Sequence, residues 1–214
     1  MNKAKAMLAQ KISNSVLRKD NGVLKKNLHH LIQTYKRNAQ IQQKIDEIAE
    51  MILGCEDFRS IIMKTTDSIK SWFGLSAATF CLTPEFRNLL GVYSSTKERT
   101  EDPVNERLFF MDGEKLTEFF MGAKEPVLRG KVEHGSVHFF DVKAVRRIRS
   151  EALIPLHYAG GIIGSLNLGS NDPVRYQEGA ATDYLNRLAR MTTLSIYNVY
   201  LKSLVGEKAE AAAN

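Results

Sequence analysis

The stretch that most limits what this chain can fold into is residues 151–170, EALIPLHYAGGIIGSLNLGS. Two apolar runs, residues 152–156 and 162–168, flank a tight connection at Ala159-Gly160-Gly161. Glycine reaches the positive φ that tight hairpin turns require, so the pattern predicts an antiparallel β-hairpin. Both runs are apolar at nearly every position instead of at every second one. Strands of that kind are covered on both faces, which places the hairpin in the middle of a three-layer domain. Gly164, inside the second run, predicts a bulge or a close backbone approach.

Upstream, helical periodicity dominates. Residues 3–19 read as a short helix with Met7, Leu8, Ile12 and Val16 on one face, and Asp20-Asn21-Gly22 reads as a break. Residues 23–53 then form one long helix without Pro or Gly. Leu24, Leu28, Leu31 and Tyr35 make a first heptad seam, and Asn38, Ile41, Ile45, Ile48 and Ile52 a second, out of phase as in a stammer. A narrow apolar stripe on so long a helix predicts a coiled-coil homodimer, with Asn38 at a register-setting position. Asp57 is placed to cap a helix over 58–73 that Gly74 ends. Residues 75–82 read as a central strand and 89–94 as the returning strand, followed by a charged loop over 95–105. Residues 106–150 hold a helix near 113–121 and short strands at 126–129 and 137–142. A closing helix over 177–204 carries Leu188 and Ile196 on its buried stripe. The division expected is a helical segment over 1–54, a domain over 55–205 and an Ala-rich tail over 206–214.

Composition narrows the function classes. The net charge of +6 sits wholly in residues 1–54, which hold ten Lys and Arg against four Asp and Glu. A basic arm suits an anionic partner such as nucleic acid, and it equally suits a solvated coil with outward lysines. No apolar run approaches the roughly 20 residues that span a bilayer, and the basic N-terminus lacks the apolar stretch of a secretory signal. Cys55 and Cys81 are too few and too far apart for a disulfide framework or a CxxC metal site. A cytoplasmic protein is the expectation.

The hairpin residues Pro155-Leu156, Gly160-Gly161, Ile163-Gly164, Leu166 and Leu168 resemble the hairpin of GAF domains. Gly169-Ser170-Asn171-Asp172, Arg175-Tyr176, Thr182-Asp183-Tyr184-Leu185 and Arg187-Leu188 resemble the end of DUF484, a bacterial GAF-like family of unknown function that also opens with a helical coil. The resemblance implies an α+β fold. A central antiparallel sheet would carry its first and last helices on one face and the variable middle segment on the other, preceded by the coil. It also implies a dimer joined through helices and a ligand pocket between the sheet and the middle segment. The Asn-Lys…Phe…Asp-Glu signature of cyclic-nucleotide binders is missing after the hairpin. GAF-type methionine-sulfoxide reductases use several cysteines, and bilin attachment needs a positioned one.

Candidate ligand-binding residues are Phe80, Phe110 and Phe119 as aromatic walls, Ser165 and Asn167 as hydrogen-bonders on one side of their strand, and Arg147 and Arg149 as anion ligands. The run Lys143 to Arg149 admits a second reading, a charged loop neutralised by Asp141, Glu151 or the acidic residues of 98–106. His134, His138 and Asp141 have ligand-like spacing, but Gly135-Ser136-Val137 splays them along an extended chain, so no metal is expected. No nucleophile–base constellation, P-loop or dinucleotide fingerprint is present, and neither a catalytic residue nor a cofactor is expected. The reading favoured is a non-enzymatic sensor that pairs with a second copy, binds a small ligand of unspecified chemistry, an anion among the options, and signals to a separate protein. A ligand-free structural adaptor and a nucleic-acid-associated basic coil stand beside it.

Overall fold

The computed structural model describes residues 2–94, 102–179 and 182–213. The chain divides into two compact units, Met1–Lys44 and Ile45–Asn214. Helix α1, Asn2–Leu53, supplies all of the first described unit and enters the second. The break expected at Asp20-Asn21-Gly22 is absent. Glycine costs a helix about 1 kcal/mol relative to alanine but does not end it. Nothing lies within 4 Å of the place a Cβ would take at Gly22, so no packing turns the chain there. The stripe expected of Met7, Leu8, Ile12 and Val16 concerns side chains outside those described, as do residues 95–101 of the charged loop.

The second unit follows from local chemistry. The Asp57 carboxylate accepts the Ser60 N–H at 2.7 Å and caps α2, Phe58–Phe73. Gly74, at φ 59°, closes that helix by donating its N–H to the Lys70 carbonyl. Strand β1, Ala77–Leu82, is buried along its whole length. Residues 84–94 form a 3-10 helix, Pro84–Ser94, not the returning strand expected from 89–94. Pro84 is pre-set for a helical first turn, and Phe86, Leu89 and Leu90 are spaced for a helix and pack on the core. The edge beside β1 is taken instead by β2, Leu108–Phe110, which pairs with it in parallel. Then come α3, Gly113–Phe119; β3, Val127–Arg129; and α4, Val142–Val145. The strand expected over 137–142 is irregular chain, because Asp141 caps α4 by accepting from Lys143 and Ala144 N–H.

The hairpin lies where its sequence puts it. Strands β4, Ser150–Tyr158, and β5, Gly161–Ser170, pair antiparallel in the centre of a five-stranded sheet of order β2-β1-β5-β4-β3. Ala159 and Gly160 make the turn at φ 48° and 86°. Leu156 pairs with Gly164 and His157 with Ile162, so β5 carries a bulge at Ile163, beside Gly164. A Cβ on Gly164 would stand 2.4 Å from the Cys81 carbonyl oxygen, so both the bulge and the close approach are present.

One sheet face carries Ala78, Phe80, Leu82, Ile154, Leu166 and Leu168 against α2, the Ile45–Leu53 end of α1 and the closing helix α5, Asp183–Ala213. The other carries Ala77, Cys81 and Leu153 against α3, α4 and the chain between them. This is the three-layer plan, with the sheet antiparallel except at β2. Helix α5 continues past residue 204 through the segment expected to fray.

The second heptad seam has another use than the one expected. Ile45, Ile48 and Ile52 are 3%, 0% and 0% exposed and lie in the second unit's own core, as do Leu188 and Ile196. These five residues are covered within one chain, so they are not an exposed dimer seam. Ile41 is half-buried and Asn38 exposed.

Candidate functional site

The face of the sheet under α3 and α4 holds an unusual set of polar groups. Asn167 of β5 stands between Thr79 of β1 and Leu153 of β4, and Ser165 between Cys81 and Pro155. Directly opposed residues of an antiparallel pair share a face, so Thr79, Cys81, Leu153, Ser165 and Asn167 form one patch. Each of the five is buried. Thr79 donates its hydroxyl to the Phe139 carbonyl at 2.5 Å, which pins the covering chain over the strands. Phe139, Phe119 and Phe120 form the aromatic lid, with Phe119 and Phe139 edge to face at 4.8 Å.

Within that patch the Asn167 carboxamide has no partner at either Oδ1 or Nδ2 among the described residues, and the Ser165 hydroxyl has none. An amide can donate two hydrogen bonds and accept two, and leaving a buried polar group unmet costs about 1–3 kcal/mol. The hydroxyls of Thr65, Thr192, Thr193 and Ser195 are also unmet, but they sit on helices, where rotation about χ1 reaches a carbonyl one turn back. Asn167, on a strand already committed to its ladder on both sides, has no such recourse.

The other candidates disperse. Phe80 faces the helical layer, on the opposite side of the sheet from Asn167. Phe110 lies at the β2 edge with the Arg87 guanidinium 4.7 Å from its ring centre. Only Phe119 joins Ser165 and Asn167 on the α3 side. Arg147 and Arg149 line a separate cleft with Lys70 and Arg146. Another hollow, about 750 Å³, runs along α3 and is lined by Asp112, Thr117, Met121 and Ile162. Neither Thr79 nor Phe139 is among the site residues expected from sequence. Thr79 was visible as a lone hydroxyl in an apolar strand, whereas nothing in sequence marks Phe139.

Reactive side chains are muted. Burial pushes the Cys81 thiol up to about 12, so it stays protonated at neutral pH. Partial burial also raises the Cys55 thiol, which donates to the Met51 carbonyl. Burial, and then Lys124, hold His157 below the usual imidazole range. His134 and His138 are exposed, Asp141 is engaged as a cap, and no group of three metal-ligating side chains occurs among the described residues. No described helix is long and apolar enough to cross a membrane.

This arrangement is similar to that of several solved structures. A free methionine-R-sulfoxide reductase from Neisseria meningitidis aligns with a TM-score of 0.54 and 18% identity over 78% of this chain and 93% of that one. The GAF domain of an Acinetobacter phosphoenolpyruvate-protein phosphotransferase aligns at 0.48 and 14% over 77% and 97%. The A. aeolicus NLH2 GAF domain, solved in an inactive state, aligns at 0.48 and 13% over 75% and 97%. At 18% identity the first of these establishes likeness of fold alone. Among curated proteins, none matches the sequence. The model of the family described as "Protein of unknown function, DUF484" matches residues 11–198, and the chain belongs to that family.

Proposed function

We propose that the second unit is a non-catalytic sensor whose ligand is a small, largely flat molecule with an uncharged polar edge. The observation that carries this reading is the unmet Asn167 carboxamide beneath an aromatic lid. A ligand edge offering one donor and one acceptor would satisfy both of its atoms, and the Phe119–Phe139 pair would take the apolar part. Helix α3, only seven residues long, is the element that would move to admit it. The protonated Cys81 supports a binding role over the redox chemistry of the sulfoxide reductase that shares the fold. In this reading a second copy covers the exposed Leu24, Leu28, Leu31 and Tyr35, whose 4-3-4 spacing suits a two-stranded coil, and the signal passes to a separate protein.

The test is Asn167→Leu. Replacing an unmet amide by an apolar group of similar shape should raise the melting temperature of the ligand-free protein, while abolishing any ligand-induced shift. A loss above about 1 kcal/mol on that substitution would mean that Asn167 is satisfied internally. The ligand-free adaptor would then be the better account. A thermal-shift screen with nucleosides, amino acids and organic acids separates the two, because only a ligand that prefers the folded state raises the midpoint.

A further inference from the structure

Four cations converge on one cleft in a unit whose net charge has the opposite sign. Lys70, from the last turn of α2, and Arg146, Arg147 and Arg149, from the turn before β4, line a hollow of about 600 Å³ together with Ser76 and Asn171. Among the described residues no carboxylate lines it. Residues 45–214 hold 20 Lys and Arg against 23 Asp and Glu, so the cleft does not sample a generally basic surface.

Asp141 and Glu151, the acids nearest in sequence, are engaged elsewhere. Asp141 caps α4. Glu151, wholly buried, accepts from the backbone and hydroxyl of Ser136 and pairs with Arg129 at 2.8 Å. Among the described residues Lys70, Arg146 and Arg147 form no ion pair. Packing maintains the cluster. Ile148 is fully buried against Gly135 and Gly169, where an added Cβ would stand 2.8 and 2.4 Å from its side chain. With Ile148 turned inward, Arg147 and Arg149 on either side of it are exposed. Arg149 is pinned further, because its Nη1 donates to the Glu133 carbonyl. Its Nε and Nη2 donors have no partner among the described residues.

We infer that this cleft binds a small molecule bearing two or more phosphate groups. Planar guanidinium forks match phosphate oxygens in pairs, and four cations balance more negative charge than one carboxylate brings. The volume falls within the roughly 300–1,000 Å³ of small-molecule sites. A nucleic acid would call for a basic stripe extending over the surface, which a net-acidic unit does not supply. The site is separate from Asn167 and stands whether or not that residue meets a ligand.

The experiment is calorimetric titration of the full chain with inorganic tripolyphosphate at low ionic strength. One equivalent should bind per chain, more tightly than orthophosphate and more weakly as salt rises. Arg146→Ala combined with Arg147→Ala should weaken binding at least about tenfold, the effect of losing one strong charge-assisted contact, with no change in melting temperature because both side chains are exposed. Lys70→Gln gives a second, independent reduction. Replacing Lys25, Lys26, Lys36 and Arg37 of α1 by Gln should leave the affinity unchanged. Absence of binding at about 1 mM would overturn the proposal. So would loss of binding in the α1 variant with retention in the cleft variants. A duplex oligonucleotide that bound more tightly than tripolyphosphate, and through the same arginines, would reassign the cleft to nucleic acid and overturn it as well.

Discussion

Two stretches of one helix carry nearly the same apolar code and meet opposite ends. In the part of α1 before Ile45, Leu24, Leu28, Leu31 and Tyr35 are 58–75% exposed. A few turns on, Ile45, Ile48 and Ile52 are spaced just as regularly and are almost wholly buried in the core. Charge divides at the same place. Residues 1–44 hold ten Lys and Arg and one acidic residue, Asp20, while Asp46, Glu47 and Glu50 open the acidic unit. Asp46 then pairs with Arg187 of α5 at 2.7 Å. Heptad spacing states that a helix has an apolar seam, but it does not state whose surface closes it.

That contrast can be broken by substitution. Ile48→Ala should cost about 3–4 kcal/mol in denaturant unfolding, the range for a large aliphatic side chain deleted from a packed core. A cost under about 1 kcal/mol would return Ile48 to the surface class, where such changes are small. Leu28→Glu together with Leu31→Glu should behave in reverse. The unfolding midpoint of the Ile45–Asn214 unit should stay within about 0.5 kcal/mol of the parent, while sedimentation velocity shows loss of self-association. An unchanged sedimentation coefficient would remove the second copy from the proposal.

Smaller effects sharpen the same boundary. Gly22→Ala should add about 0.5–1 kcal/mol of helix stability and raise the far-ultraviolet helical signal if α1 is continuous, and lower it if the chain turns there. Arg187→Ala should cost no more than about 0.5 kcal/mol, because the pair it forms with Asp46 is half-exposed on both sides. Acid should erode the junction after α1 first. Hydrogen bonds from Ser60 hold the Asp57 carboxyl below its usual range, and Arg59 does the same for Asp102. A carboxyl with a depressed folded pKa stabilises the protein above its unfolded value of about 3.9, and that contribution is lost as pH falls through the folded value. His157, depressed by burial, acts in the same direction below about 6.5, since the unfolded chain takes up its proton more readily. Stability should therefore fall monotonically from pH 7 to pH 3, and a rise on acidification would contradict these assignments.

The site was partly legible before the fold was known. Alternation along β5 put Ser165 and Asn167 on one side, and two polar residues in an otherwise apolar central strand drew notice for that reason. Their isolation from any partner could not be read, because it depends on which side chains of α3 and of the chain before α4 lie above them. Phe80 had the right residue type and the wrong parity, facing α2 and α5. Arg147 and Arg149 were singled out as anion ligands, but Lys70, some 76 positions upstream of Arg146, had no sequence mark linking it to them. Asp141 and Glu151 were plausible neutralisers by proximity alone. Asp141 instead caps a short helix, and Glu151 is held by Ser136 and Arg129.

Local rules therefore determined the pieces whose causes are local: the cap at Asp57, the left-handed Gly74, the turn at Ala159-Gly160, the tight approach at Gly164 and the double coverage of β4 and β5. Each depends on backbone sterics or on polarity within a few residues, so one chain segment holds all the information. The parallel docking of β2, the helical path of residues 84–94, the intrachain use of Ile45, Ile48 and Ile52, and the meeting of Lys70 with three arginines were decided only by tertiary structure. They turn on which surfaces meet. Burial free energy counts the area that neighbours remove from water, wherever along the chain those neighbours come from.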